Sequence, residues 1–319
     1  MDLEVITVFN KGDTRDLGMR EALKNAVHNA VIFEYKLPNL EKNLDKSCIS
    51  SQRDVCFSNS SPQDISKIIY NGIVEFAINE YEIDYENLER EQRKAIISRI
   101  RYNPEDTDTT KLKYGFYGEV LLDLILRTYF RTNVLIARGY FYSPNENSEV
   151  KGFDAFHLVK KDDSIDLWFG EAKFYKLYKN AITSVLEKIN ISLSDGYFTR
   201  NLLTIINEKG HITTHDRVFD ELLTAWEENP EINLAQEAKA RGIRLIYPVF
   251  IAFQKNTTDV YNESIKKCID HITSECARLN FTIPASFDYR LFFIFLPLSN
   301  VKEIKERVIE WIDSKEPLI

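Results

Sequence analysis

The sequence lacks a long run of apolar residues. Its longest, from Leu291 to Leu296, is a predicted core strand ending at Pro297 and falls far short of the roughly 18–20 residues that span a bilayer as a helix. The first residues, Met1 to Glu4, have no features of a secretory signal. We therefore expect a cytoplasmic protein with no membrane partner.

Cysteine is scarce and poorly spaced for zinc. The cysteines form two pairs, Cys48 with Cys56 and Cys268 with Cys276, and the members of each pair lie eight residues apart. Zinc motifs usually place two to four residues between ligands, and the histidines of this chain lie elsewhere. Reduced thiols are therefore favoured over a zinc site or a disulfide framework.

Positive charge is also limited. The chain has 41 Lys and Arg residues against 49 Asp and Glu residues, for a net charge of −8. This balance speaks against a passive nucleic-acid coat, because phosphate binding usually requires a basic surface. Residues 111–200 are an exception, with 13 basic and 11 acidic side chains. A glycine-rich phosphate cradle is missing as well, so we expect no ATP hydrolysis by the chain itself.

The composition that is present is typical of a folded α/β protein. With 44% hydrophobic residues, the 319-residue chain is long enough for one large domain or two ordinary ones. We predict an N-terminal α/β region over residues 1–105, a candidate partner-binding extension, and a second unit over residues 106–319. The acidic segment Glu80–Glu91 is interpreted as a solvated helical face, or alternatively as a surface for a partner.

Hydrophobic periodicity places the elements along the chain and implies a mixed central β-sheet flanked by helices. The predicted strands are Val5–Phe9, Val31–Tyr35, Val134–Tyr142, Gly152–Val159, Ile165–Tyr175, Gly242–Phe253 and Arg290–Leu296. The predicted helices are Leu17–Ala30, one that starts at Pro62, Tyr114–Phe130, Tyr178–Ile191, Tyr261–Leu279 and Val301–Ile312.

Charged residues interrupt two of these apolar strands. Glu171 and Lys173 are two apart, so they share a face of their strand, and the pairing could bring Asp154 of the preceding strand beside them. Charged groups are rarely buried without a partner or a metal. The set therefore predicts a metal-dependent site that cleaves phosphodiesters; a simple salt bridge between the strands is the alternative.

A carboxylate on the preceding predicted helix extends this set. Glu119 lies on an apolar stripe of the helix, and Asp123 is a similar group one turn later. Mg²⁺ prefers carboxylate, carbonyl and water oxygens, so Asp154, Glu171, the Ala172 carbonyl and Glu119 are its candidate ligands. A helix-terminal acid favoured by the helix dipole is the other explanation for Glu119.

The lysines have separate predicted roles. Lys173 would orient the attacking water and stabilise developing negative charge, because a lysine is a poor base at neutral pH unless its pKa is lowered. Lys176 and Lys179, just beyond the strand, are candidate contacts to a DNA backbone. A solvated helix start explains these two residues equally well.

The order Glu119, Asp154, Glu171-Ala172-Lys173 resembles the signature of the PD-(D/E)xK nuclease superfamily. The segments around it, Tyr-Gly-Phe-Tyr-Gly-Glu, Gly-Phe-Asp-Ala-Phe-His and Trp-Phe-Gly-Glu-Ala-Lys-Phe-Tyr, are similar to the HamA family of the Hachiman anti-phage system. The resemblance covers about residues 111–200, and Phe153 replaces the proline of the superfamily name.

This resemblance implies a restriction-endonuclease-like core in residues 106–319 and a DNase that depends on Mg²⁺, with Mn²⁺ as a substitute. It also implies catalytic roles for Glu119, Asp154, Glu171 and Lys173, and control by a superfamily 2 DNA helicase of the HamB type. A non-catalytic regulatory or scaffolding subunit of a helicase complex is the alternative function. A stand-alone restriction-type endonuclease is a third reading, for which no recognition domain is evident.

Overall fold

The computed structural model describes residues 19–33, 54–146, 148–161, 164–279 and 283–319 of the chain. The predicted strand Val5–Phe9, together with Cys48 and the turn residues Asp162 and Asp163, lies outside the described residues. Cys56, Cys268 and Cys276 are buried. Within the described ranges, no helix combines the length and the apolar character that crossing a membrane requires.

A seven-stranded mixed sheet forms the centre of the protein, in the order β1-β2-β9-β8-β7-β6-β3. Neighbours from β2 to β7 run parallel, whereas β1, β6 and β3 pair antiparallel. This confirms the predicted fold class. The strands of the sheet are β1 (Val31–Phe33), β2 (Val55–Asn59), β3 (Asn133–Val134), β6 (Ala155–Lys160), β7 (Ile165–Tyr175), β8 (Ile243–Gln254) and β9 (Asp288–Leu298), and a separate ribbon pairs β4 (Tyr142–Ser143) with β5 (Ser148–Glu149).

Helices cover both faces of the sheet, and each face has its own hydrophobic core. In β7, Leu167 and Phe169 belong to one core, and Trp168 and Phe174 belong to the other. This alternation is what a strand buried on both faces requires. The helices on one face are α6 (Tyr178–Leu186), α7 (Ile189–Ser192), α8 (Asp195–Asn207), α9 (Arg217–Glu228), α10 (Leu234–Ala240) and α11 (Tyr261–Leu279). The helices on the other face are α1 (Glu21–Ala30), α2 (Pro62–Ala77), α3 (Leu88–Ser98), α5 (Phe116–Phe130) and α12 (Val301–Ser314), and the short α4 (Asp108–Lys111) precedes α5.

Elements on both sides of residue 105 share the sheet and one core. Strand β2 pairs with β9, and α2 packs against α5 and α12. Half of the acidic segment Glu80–Glu91 forms two short 3₁₀ turns, Glu80–Glu82 and Tyr85–Asn87, and its last residues begin α3. The boundary between residues 105 and 106 stays a prediction about folding units.

Several elements differ from the sequence prediction, and three differences affect predicted elements. In place of the strand Val134–Tyr142, the chain forms β3 and then a 3₁₀ turn at Arg138–Phe141, where Gly139 lies so close to the Ala77 carbonyl that a Cβ atom would collide. Strand β9 continues through Pro297, which lies beyond the end of the ladder with β2 at Phe295 but still pairs with Phe253 of β8. Lastly, the predicted helix Tyr178–Ile191 is divided into α6 and α7.

Candidate active site

Pairing of β6 with β7 places Asp154 and Glu171 together. The antiparallel register aligns Ala155 with Gly170, so Asp154 lies opposite Glu171. The Asp154 amide donates a hydrogen bond to the Gly170 carbonyl at 2.8 Å, and Asp154 Oδ2 accepts one from the Ala172 amide, also at 2.8 Å. Backbone contacts from β7 therefore hold the Asp154 carboxylate in position without a ligand.

Glu171 and Lys173 lie on one face of β7, as the spacing predicts, and their side chains form an ion pair. Lys173 Nζ donates to Glu171 Oε1, and less than a fifth of either side chain is exposed. A pair this sheltered interacts more strongly than an exposed surface pair.

The surroundings of Glu171 and Lys173 change the pKa values of both residues. Burial and the nearby Asp154 carboxylate raise the pKa of Glu171 to about 7, although Lys173 partly opposes them. Burial alone would lower the pKa of Lys173, but Glu171 and Asp154 together raise it above its usual value. Lys173 therefore stays a cation at neutral pH, whereas Glu171 is poised between its neutral and ionised forms.

Close packing of α5 places Glu119 beside the same end of β7, on the face that carries Ala172 and Phe174. A Cβ atom at Gly118 would lie 3.2 Å from Phe174 Cβ and 3.5 Å from Ala172 Cβ, so the first turn of α5 rests directly on the strand. Gly115, just before the helix, leaves room for the Glu119 carboxylate, since a Cβ there would lie 2.5 Å from Glu119 Oε1. Glu119 is buried and only 6% exposed.

A cavity of about 500 Å³ opens in front of these side chains. It lies beside the end of β7, the segment before α5 and the first turns of α12, at the carboxyl edge of the parallel strands, where α/β sheets commonly bind ligands. Glu119, Asp154, Ala172 and Lys173 line it. Glu171 does not line it, and is connected to it through its ion pair with Lys173.

An amide on α8 supports the turn that carries Asp154. Asn201 is buried, and its side-chain oxygen accepts a hydrogen bond from the Phe153 amide at 3.1 Å. The same oxygen occupies the space that a Cβ atom at Gly152 would need. The sequence gives no sign of this role, because Asn201 lies far along the chain in a helix with no charged motif.

The arrangement fits a hard divalent cation of the kind expected. Among the described residues, no three His, Cys, Asp or Glu side chains form a ready-made metal cage. Mg²⁺ needs no such cage, because it is usually held by one or two carboxylates and keeps several waters. Asp154 and Glu171 repel each other in a buried setting, and a cation between them would relieve that repulsion.

Asp123, the similar acid one turn after Glu119, lies in a different cluster. Its carboxylate is buried 2.9 Å from Arg127 Nε and 2.8 Å from His157 Nε2. On the other side of the ring, His157 Nδ1 lies 2.6 Å from the Thr132 hydroxyl. Burial lowers the pKa of His157, so the ring is neutral and bridges the acid and the hydroxyl.

The two lysines predicted to contact DNA are placed differently. Both Lys176 and Lys179 are exposed. Lys176 lines the cavity, whereas Lys179 lies in the first turn of α6 and does not line it. Of the two, Lys176 is therefore the better positioned to touch a molecule bound in the cavity.

Comparison with known proteins gives one family match. The family model described as HamA matches residues 27–312, a span that contains every candidate site residue and all seven strands of the central sheet. Neither the curated proteins nor the solved structures gave a match.

Proposed function

Since this chain belongs to the HamA family, which is associated with Hachiman anti-phage defence, we propose that it is a metal-dependent DNA nuclease. In this proposal it hydrolyses phosphodiesters as the effector of a defence complex, and a partner helicase controls it. Family membership supports the defence role, and the side chains of the site support the proposed hydrolysis.

One observation carries the proposal: Asp154, Glu171 and Lys173 converge on neighbouring strands beside a cavity. A structural salt bridge needs one acid and one base, but here two acids share one lysine and the pKa of Glu171 is raised to about 7. Asp154 accepts a backbone hydrogen bond and has no salt bridge of its own among the described residues. The surplus carboxylate is what a cation site needs.

Asp154 and Glu171 are the residues that would hold Mg²⁺, together with the Ala172 carbonyl. When bound, the ion would polarise the scissile phosphate and lower the pKa of an attacking water. The protein itself positions the two carboxylates. The Ala172 amide holds one oxygen of Asp154, and Lys173 holds one oxygen of Glu171.

Lys173 acts as a cation in this proposal. Because its pKa lies above the usual value, it cannot accept a proton from water at neutral pH. Its ammonium group can instead orient the water and stabilise the negative charge that develops on the phosphate. Glu119, on the same cavity wall, would hold a further water of the cation.

Cleavage of supercoiled plasmid DNA tests the proposal. We expect the purified full chain, freed of its partner, to nick or degrade plasmid in Mg²⁺ or Mn²⁺ and to be inactive in excess chelator. Glu171→Gln should abolish cleavage, and Lys173→Met should slow it by about 10²–10³-fold, the usual cost of losing one charge-stabilising donor.

A matched control is Glu187→Gln, which removes an exposed carboxylate outside the cavity. This variant should cleave like the parent protein. If the parent cuts nothing and Glu171→Gln still confers phage resistance, the chain is instead a non-catalytic regulatory or scaffolding subunit.

A further inference from the structure

Four lysines besides Lys173 line the cavity. Lys113 lies in the segment before α5, Lys176 follows β7, and Lys302 and Lys305 lie on α12. These segments are distant in the sequence, and the fold brings their side chains to one cavity. In a chain with a net charge of −8, such a concentration of positive charge is unusual.

Most of this charge is not neutralised by the protein. Among the residues that the structure describes, neither Lys113 nor Lys176 has an acidic group within salt-bridge distance. Lys302 pairs with Glu306 at 3.0 Å, but both side chains are more than half exposed, and such surface pairs contribute little. The lysines therefore leave a net positive surface open to solvent and to ligands.

Lys305 adds a buried charge beneath this surface. It is 8% exposed, and its ammonium group donates to the Leu112 carbonyl at 2.9 Å and to the Phe174 carbonyl at 3.3 Å. Burial lowers its pKa to about 8, and no carboxylate of the described residues pairs with it. Lys305 thus ties the segment before α5 to the end of β7 and keeps positive charge at the cavity.

The start of α12 also lies at this cavity. Val301 and Lys302, in the first turn of this 14-residue helix, line the cavity. A helix N-terminus favours anions, because its free amides and its dipole present positive charge. Because Asn300 already caps the Glu303 amide at 3.1 Å and Glu303 is acidic, the helix start adds only a weak attraction, and the lysines are what select for an anionic ligand.

We propose that Lys113, Lys176 and Lys302 bind a backbone phosphate of the DNA strand, next to the phosphate that is cleaved at Asp154 and Glu171. This inference rests on the proposed nuclease function and assigns its substrate contacts. A cavity of about 500 Å³ lies within the usual range for ligand sites, roughly 300–1,000 Å³. The lysines hold the strand, and the carboxylates act on it.

Binding of DNA without cleavage tests this subsite. The probe is a fluorescent single-stranded oligonucleotide of about 20 nucleotides, measured by anisotropy in chelator at several salt concentrations. Lys113→Gln, Lys176→Gln and Lys302→Gln change exposed residues, so we expect all three to fold. Each should weaken binding about five- to tenfold at low salt and reduce the salt dependence by about one unit of slope.

Lys266→Gln, an exposed lysine on α11 outside the cavity, is the control and should bind like the parent. The subsite is refuted if the three cavity variants bind as the parent does, or if the parent does not bind the oligonucleotide. A parent that cleaves DNA while the cavity variants bind normally keeps the nuclease proposal and rejects the subsite. If the parent does not cleave DNA but the three cavity variants bind the oligonucleotide more weakly than the parent does, the subsite stands and the nuclease proposal is rejected.

Discussion

At the scale of single residues, Glu171 and Lys173 have opposite relations to pH. Both pKa values are raised, but for an acid this favours the neutral form and for a lysine the charged form. At neutral pH the site therefore holds a fixed cation next to a carboxyl group that is only partly ionised. A divalent cation must displace the proton of Glu171 before this carboxylate can bind it.

Binding of Mg²⁺ should therefore strengthen as pH rises through about 7. Below that pH Glu171 is mostly protonated, and above it mostly ionised. Between about pH 6 and pH 8 the ionised fraction rises from about one-tenth to about nine-tenths, so the apparent affinity should increase nearly tenfold. The increase in Tm on adding Mg²⁺, measured across this range, reports the change.

Glu171→Gln is the control for this effect, because it cannot ionise. Its smaller Mg²⁺-induced rise in Tm should stay the same across the pH range. A wild-type response that is flat between pH 6 and pH 8 would show that Glu171 is not part of the cation site.

The stability of the metal-free protein should change with pH in the opposite direction. The native state holds the Glu171 proton more tightly than the unfolded chain, so stability falls as pH rises from about 4.5 to about 7.

At the scale of elements, the contact between α5 and β7 decides whether the site assembles. Gly170 precedes Glu171 and lies against both α5 and β8: a Cβ atom there would be 2.8 Å from Leu122 Cδ2 and 3.1 Å from Pro248 Cγ. Pro248 has no amide hydrogen to donate, and the pairing of β7 with β8 is interrupted at this point. This interruption lies immediately before the functional residues of the strand.

Gly170→Ala should disturb both stability and the site. The added methyl group must push Leu122 or Pro248 aside, and overpacking of this kind costs about 1–3 kcal/mol. Urea denaturation should show this loss in the free energy of unfolding, together with reduced plasmid cleavage by the folded protein.

Gly210→Ala is the matched control, because a Cβ atom at Gly210 meets nothing within 4 Å. Its stability should stay unchanged or rise by up to about 1 kcal/mol, since alanine restricts the unfolded chain. Equal stability of the two variants would contradict the close packing of Gly170.

How much the sequence could predict varies from element to element. The bounds of β7 and α11 match the prediction, because a long apolar strand and a long amphipathic helix have strong periodicity. The sequence does not predict helices α8 to α10, since Gly196 at the start of α8, and Gly210 and Pro230 before and after α9, interrupt the pattern. The turn at Gly139 depends on its contact with α2, which no local pattern contains.

The candidate site shows the same division. Asp154, Glu171 and Lys173 could be grouped from the alternation and pairing of strands alone. The roles of Asn201 and Lys305 could not, because each contacts the site from an element distant in the sequence. Asp123 has the same chemistry as Glu119, and only the position of Arg127 and His157 places it in a different cluster.

At the scale of the whole molecule, the distribution of charge disfavours DNA binding outside the cavity. The net charge of −8 repels nucleic acid from most of the surface, whereas the lysines of the cavity attract it at one place. Away from this cavity the isolated chain should bind DNA weakly. A partner that presents the strand would then raise its activity, in agreement with the proposed control by a helicase.

Buried polar contacts also join the two sides of the predicted boundary at residue 105. Arg127 on α5 donates to the Glu75 carbonyl on α2 at 2.7 Å and pairs with Asp123, which in turn contacts His157 on β6. Burial alone would raise the pKa of Asp123, but Arg127 and His157 lower it below its usual value. Asp123 is therefore an ionised group that depends on Arg127 for its countercharge.

Arg127→Met should be the most destabilising of the substitutions considered, because it leaves the buried Asp123 charge unpaired and frees the Glu75 carbonyl. The expected cost is about 3–5 kcal/mol in the free energy of unfolding, measured with urea. Adding Asp123→Asn removes the stranded charge and keeps an acceptor for His157, so the double variant should regain part of the loss. Arg217→Met, which breaks an exposed pair with Glu221, should cost less than about 1 kcal/mol. A double variant as unstable as Arg127→Met would show that the Glu75 contact, rather than the charge of Asp123, holds α2 and α5 together.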